Sequence, residues 1–479
     1  MELFQTDPKK RNVFLVFFIY LCMKKTRFFY GMNYFLLVLL GWLLLFRKAA
    51  EVNWERGEER KSHETVELPQ EKKDTGREAA VVKEKGRTSS WLGIAITGAG
   101  IGAAYSYEQK EKVENTENTR ELSIRVLLTD SGQQSYYHSS VTLQQNGREY
   151  TYTPDSPEIQ NDALLLEGGE EGIAVTSIAR AQNPPVYYGT LEIKKTDQGL
   201  LLINELPLET YLKGVVPSEM PASYEEQALM AQAVCARTYA ICQIWEKSLE
   251  EEYGADVDDS VSYQVYGNFP ADEKTDKAVQ ETKGMIMCQN GKPVTAYYFS
   301  TSAGQTSTDE IWGADKAATY LKSVECGFDQ NMPWSSWKVT IPWDTLEERA
   351  ANLEGGGSLK GLQVMKKSAS GAVTGLEIVT DKNPIELNGE YEIREFLSPA
   401  GLLITEKDGT QVKGGSLLPS AYFNLTTEVG REVQIQGKGY GHGVGMSQNG
   451  ANEMAKEGYT WQEILAYFFQ NITFETVPS

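Results

Sequence analysis

Glu219 stands between two prolines, in the run Val215-Val216-Pro217-Ser218-Glu219-Met220-Pro221. Each proline fixes its own φ and restricts the residue before it, so the spacing predicts a stiff loop that holds the carboxylate just ahead of a helix. A carboxyl on a rigid, partly apolar turn can have a raised pKa and serve first as general acid and then as base. By spacing alone, a solvent-exposed loop glutamate is the stronger account, because one carboxylate in one loop names no chemistry.

Two other stretches carry groups suited to ligands. Glycine occupies every second position from Gly437 to Gly445. In an extended segment the five glycines would share one side and open the backbone to close approach, while Lys438, Tyr440, His442 and Val444 share the other. Tight packing explains the glycines equally well. The spacing is not the dinucleotide fingerprint, which needs a strand–turn–helix and a downstream acidic residue. His442 is followed by Met446-Ser447-Gln448-Asn449, a polar run able to bind sugar hydroxyls. Tyr297–Thr306 adds aromatic rings and hydroxyls (Tyr298, Ser300, Thr301, Ser302), which suit carbohydrate as readily as an ordinary exit from a strand. There is no G-x-S-x-G elbow, H-E-x-x-H or P-loop, and histidines at 63, 138 and 442 form no zinc-ligand pattern.

The elements that must position these residues are partly legible. From Glu121 the alternation of Leu122, Ile124, Val126 and Leu128 predicts a strand. Further short strands are expected at 141–143, 173–178, 191–193 and 200–203, between turn residues. A helix is expected from Ser223, where Ser223 and Glu226 read as a capping box. Leu229, Ala233, Ala236 and Ala240 fall on one face of it, and small residues there imply close packing. Arg237 sits beside that face, so it should be partly buried with an anionic or carbonyl partner. Residues 361–380 and 385–397 read mostly as strands or short connections. A strand at 432–436, a helix near 450–456 and a last helix capped by Thr460 and Glu463 close the chain.

Composition bounds the rest. The chain has 479 residues, 41% hydrophobic and 23% charged, and a formal net charge of −20. The first 120 residues are slightly basic, so the remainder is more acidic than the whole and would repel phosphate backbones, which excludes nucleic acid as a partner. Five cysteines make no disulfide framework. Cys235 and Cys242 are roughly 10 Å apart along one expected helix, too far to bridge, and Cys22, Cys288 and Cys326 stand alone. Residues 28–46 carry no charge and are long enough to cross a bilayer. Lys24, Lys25 and Arg27 precede them, as in an anchor with its N-terminus inside. Residues 1–27 are then a cytoplasmic tail or an over-extended gene start. Residues 47–120 read as a charged linker, with a weak apolar segment at 91–107 that is either part of the linker or a second crossing.

Four segments, in order, carry a family resemblance: Leu206–Pro221 with its S-E-M-P; Gln227–Ala240; Tyr298–Thr306 with Ile311-Trp312-Gly313; and Gly439–Ala451. Together they resemble the stage II sporulation protein D family over about residues 121–479. The resemblance implies an α+β ectodomain behind an N-terminal membrane anchor, with a β-rich part at 121–204 and a mixed α+β catalytic region at 205–479. It implies a lytic transglycosylase that cuts peptide-free glycan strands of peptidoglycan and leaves 1,6-anhydromuramyl ends during engulfment in sporulation. Glu219 carries over as the catalytic acid/base, and Arg237, Tyr298, Ser302, His442, Ser447 and Gln448 as groove residues that bind substrate. The implied partners are a stem-peptide amidase and a membrane scaffold of the engulfment machinery, in the mother-cell membrane facing the forespore. No cofactor is implied. Some clostridial members bind zinc through His and Cys after the second segment, but residues 243–287 contain neither here, so no metal is expected. The same family includes non-catalytic amidase enhancers, which makes an enhancer or wall-binding role the alternative.

Overall fold

A computed structural model describes residues 121–477, except 182, 183, 248 and 268. The expected anchor at 28–46 and the apolar segment at 91–107 lie outside the described residues. Among the described residues no helix is long and apolar enough to cross a membrane.

The fold is mixed α+β and rich in strands. Period-2 patterning in the N-terminal part produces two sheets. One runs in the order 163–167, 190–196, 199–207, 123–127 and 257–258; the other runs 148–152, 141–145, 173–175 and 186–187. The strand Gly199–Pro207 is buried from Leu200 to Asn204 and again at Leu206. Leu200 and Leu202 enter the main core, while Leu201 and Ile203 pack with Leu127 and Ala255 on its other face. Its hydrophobicity is therefore continuous, as expected of a strand covered on both sides.

That strand runs directly into the helix Leu208–Glu219, entered through Pro207 with φ −56°. The next helix, Glu226–Glu246, is buried from Ala228 to Gln243. Helices 208–219, 273–281, 448–456 and 461–468 and strand 285–289 surround it. The alanines expected on one face are part of a helix enclosed all round, whose small side chains let these neighbours approach closely. The capping box expected at Ser223 and Glu226 does not form. Glu225 is the N-cap without a side-chain bond, and its N–H donates instead to Asn452 Oδ1 at 2.9 Å. Glu226 pairs with Lys277. Tertiary partners have taken over what a local cap would do. At the last helix the expected box is present, with Thr460 and Glu463 bonding reciprocally.

Strands Tyr298–Phe299 and Met446–Ser447 lie side by side and parallel. Parallel neighbours need a crossover, and here the crossover contains a second lobe. It holds a five-stranded sheet (411–413, 403–406, 337–342, 432–437, 423–428) and a three-stranded one (359–367, 373–380, 385–388). Its separate core includes Trp337, Ile341, Leu346, Ile378, Ile393 and Ile435. Residues 385–397, expected to be mostly strand or short connections, are a short strand followed by the helix Glu390–Phe396. That helix is held by the buried pair Glu390–Arg394 at 2.9 Å. The last described strand, Thr473–Thr476, pairs with Met285–Cys288.

The glycine-rich segment corrects the extended reading. Gly439, Gly441, Gly443 and Gly445 all have φ between 77° and 106°, so the chain turns repeatedly instead of running flat. At Gly445 a Cβ would lie 2.0 Å from the Tyr297 carbonyl oxygen, and at Gly443 it would lie 2.5 Å from the Tyr422 hydroxyl. Glycine here serves left-handed geometry and close backbone packing against 297–303.

Candidate active site around Glu219

Glu219 is the last residue of the helix Leu208–Glu219, not part of a loop. Pro217 lies inside the last turn, where it removes one amide donor but leaves the helical path intact to Glu219. The Ser218 hydroxyl donates to the Gly214 carbonyl at 2.7 Å and accepts the Phe269 N–H at 3.2 Å, tying the helix end to the loop at 265–269. Gln448 Nε2 donates to the Glu219 backbone carbonyl at 3.1 Å and to Gln232 Oε1 at 3.3 Å. Gln448 thus satisfies the terminal carbonyl that carries the carboxylate.

Glu219 as a residue is half-buried, while its carboxyl is held away from solvent. Its Oε1 accepts the Val265 N–H at 2.6 Å, and Tyr298 lies near enough to influence its charge. Burial pushes the carboxyl up to about 7, against the Val265 hydrogen bond and the nearby Tyr298, which favour the charged form. The negative end of the helix dipole acts in the same direction as burial. No salt bridge to Glu219 forms among the described residues. The result is a carboxyl that is substantially protonated at neutral pH, as a general acid requires.

The other expected site residues separate into two groups. Tyr298 and Gln448 are brought to Glu219. Arg237, Ser302 and Ser447 are not open to a groove. Arg237 is fully buried and holds Glu209 through two 2.8 Å bonds, with the Val279 and Met285 carbonyls at 3.2 Å. The expected anionic and carbonyl partners are both there, and they leave the guanidinium nothing to offer a substrate. Ser302 and Ser447 both donate to the buried carboxylate of Asp329, at 2.7 and 2.6 Å. These two hydroxyls lock the 298–306 turn to the 446–447 strand. His442 lies among Tyr297, Phe299 and Trp312, with ring centroids 6.2, 5.7 and 5.2 Å away. Its Nδ1 accepts the Val444 N–H at 3.1 Å, and burial pushes it down to about 4, so the imidazole is neutral.

Sequence reasoning missed Val265, Gln264 and Asp329. Tyr263 and Tyr266 flank the first two without any periodic pattern, so the sequence offered no clear signal for them. For Asp329 there was none, since its partners lie 27 and 118 residues away. No group of three or more His, Cys, Asp or Glu able to hold a metal occurs among the described residues. The four described cysteines are free and buried.

Residues 196–288 match the family described as Stage II sporulation protein, and residues 314–445 match a domain of unknown function that coincides with the second lobe. The chain is 34% identical over 282 residues to the Stage II sporulation protein D of Bacillus subtilis (strain 168), which covers 56% of this chain and 74% of that protein. It is 31% identical over 290 residues to the protein of the same name in Bacillus amyloliquefaciens, covering 58% and 76%. It is also 30% identical over 295 residues to the Amidase enhancer of Bacillus subtilis (strain 168), covering 55% of this chain and 40% of that longer protein.

Proposed function

This chain belongs to the stage II sporulation protein D family, and from that premise we propose that it is a lytic transglycosylase acting on peptide-free glycan strands of the cell wall during sporulation. The observation that carries the reading is the Glu219 carboxyl, pushed up to about 7 with no salt-bridge partner among the described residues, on a residue that is not fully enclosed. Neutral Glu219 gives its proton to the glycosidic oxygen as the bond from the muramyl C1 breaks. The resulting carboxylate accepts the proton of the muramyl C6 hydroxyl as that oxygen bonds C1. The product is a 1,6-anhydro ring, no water is consumed, and Glu219 ends protonated as it began. The Val265 N–H stabilises the carboxylate in between.

A hydrolase needs a second carboxyl, roughly 5–9.5 Å from the first. Glu209 does not fill that role. It sits at the far end of the same 12-residue helix, roughly 15 Å away, and is bound to Arg237. Incubating the full chain with peptide-free glycan strands should release fragments with anhydro ends by mass spectrometry, and Glu219→Gln should release none. Reducing ends, or equal product from the variant, would contradict the reading.

The similarity to an amidase enhancer favours one second reading, a non-catalytic stimulator of another wall enzyme. It predicts no product from the chain alone and a faster amidase in its presence, unchanged by Glu219→Gln. In the catalytic reading, residues 28–46 anchor the chain in the mother-cell membrane facing the forespore, beside an amidase and a membrane scaffold. Protection of residues 121–479 from external protease in protoplasts would overturn that placement.

A further inference from the structure

The five-stranded sheet of the second lobe has one face on its core and the other in solvent. Strands 337–342 and 432–437 alternate along their length, so Val339, Ile341, Val433 and Ile435 enter the core while Lys338, Thr340, Gln434 and Gln436 face out. The strand registers bring the outward residues into line. Gln411 lies opposite Thr405, Thr405 opposite Lys338, Lys338 opposite Gln436, and Gln436 opposite Asn424, which makes one row across all five strands. Thr405 is half-buried and the other four are exposed. The row therefore offers amides, a hydroxyl and an ammonium, and no carboxylate stands in it. Among the described residues Lys338 forms no ion pair, and the Gln411 and Gln436 amides make no hydrogen bond. At one end Lys367 Nζ donates to Asn424 Oδ1 at 3.0 Å and adds a second cation. Thr340, Gln434 and Thr426 form a shorter row alongside, where Gln434 Nε2 is held by Glu432 at 2.8 Å.

The Lys338 row is one residue from the end of the sheet where Trp337 and Gly437 pair, and hydrogen bonds lead from that end to the Glu219 helix. The Gly439 N–H donates to the Trp334 carbonyl at 2.9 Å, and Tyr440 and Thr301 exchange backbone bonds at 2.8 and 3.1 Å. Asn449 Nδ2 donates to Thr301 Oγ1 at 3.0 Å, and its neighbour Gln448 holds the Glu219 carbonyl at 3.1 Å. On this path the exposed Tyr440 ring packs on Trp334, centroids 4.7 Å apart, and presents an aromatic surface on which a sugar ring can stack. Charge is graded along the sheet: Glu428 and Glu432 pair at the far end, while Lys338 and the exposed Lys438 lie at the near one. We propose that this sheet face is a second binding site for the glycan strand, which holds a peptide-free strand beside the Glu219 site. The amides and hydroxyl bond sugar hydroxyls and acetamido groups. Lys338 pairs with the lactyl carboxylate that a muramyl residue bares once its peptide is removed. Neighbouring strands are roughly 4.8 Å apart, so successive groups in the row are spaced close to one β-1,4-linked sugar. In a chain of net charge −20, a cationic row free of carboxylates is the surface an anionic polysaccharide can approach.

This inference rests on the reading of the substrate as peptide-free glycan, and its test separates binding from cleavage. The full chain carrying Glu219→Gln, which cuts nothing, is titrated with purified peptide-free glycan strands and with N-acetylglucosamine oligomers, which share the linkage but carry no carboxylate. The parent should bind the glycan strands more tightly than the neutral oligomers, and added salt should narrow the gap. Lys338→Thr, which removes the charge and keeps a strand-forming residue, should weaken glycan binding about fivefold and oligomer binding less than about twofold. Gln436→Val should weaken both about threefold or more. Both positions are exposed, and thermal unfolding checks that each variant is folded; Lys338→Gln and Gln436→Thr replace either one that is not. A parent that binds no glycan overturns the inference. So do folded variants at 338 and 436 that bind glycan as the parent does, or an equal loss for both ligands at Lys338. A chain that binds in the expected pattern but, with Glu219 restored, cuts no strand supports the inference and contradicts the transglycosylase reading alone.

Discussion

The helix Leu208–Glu219 carries a glutamate at each end, and the molecule treats the two in opposite ways. At the N-terminal end Glu209 sits in the first turn, where the helix dipole favours its charge, and Arg237 grips both of its oxygens. At the C-terminal end Glu219 meets the unfavourable pole of the dipole, pairs with no cation among the described residues, and receives the Val265 N–H. One carboxylate is neutralised and serves to weld two helices together. The other is held near the point where losing and regaining a proton cost equally little, which is the condition for acid/base work. Residue type does not separate them; what surrounds each end of the helix does.

The contrast breaks most visibly at Glu219. Glu219→Gln should lower glycan cleavage by about a thousandfold or more, while urea unfolding shows the protein as stable as wild type or more so at neutral pH. Glu209 and Arg237 should behave in the reverse manner. Arg237→Met leaves Glu209 buried without its partner and should cost about 3–5 kcal/mol by urea unfolding, so any loss of activity tracks the unfolded fraction. A smaller effect sharpens the comparison through pH. The folded Glu219 value of about 7 lies above the ordinary 4.5 of the unfolded chain. Between those values the folded state holds a proton that the unfolded state has lost. Its stabilising contribution is complete below 4.5 and fades as pH rises to about 7. Wild type should therefore lose about 3 kcal/mol across that window relative to Glu219→Gln, as read from unfolding midpoints at each pH. The smallest effect is a control at a helix end without chemistry. Thr460→Ala removes the capping box and should cost about 1 kcal/mol with cleavage per folded molecule unchanged.

The parts of this design written in local pattern were legible. Alternation located strand 123–127 and its neighbours, helical spacing located the central helix, and the Thr460–Glu463 box appeared where the spacing put it. Local rules failed where distant groups replaced them. Two prolines suggested a loop at Glu219, but the helix runs through Pro217, with Ser218 and Gln448 holding its end. Ser302 and Ser447 looked like sugar ligands because hydroxyls suit sugars, yet both are consumed by Asp329, a partner no spacing could announce. Gln264 went unnoticed for the same reason, since its partners lie 28 to 53 residues away in sequence.

The most direct test of the account is the ionisation of Glu219 itself, followed by ¹³C NMR of the labelled full chain from pH 4 to 9. The account predicts a midpoint near 7, with the resonance absent from Glu219→Gln. A midpoint near 4.5, the ordinary value for a glutamate, would mean that Glu219 is already charged at neutral pH, has no proton to give, and is not the acid this site requires.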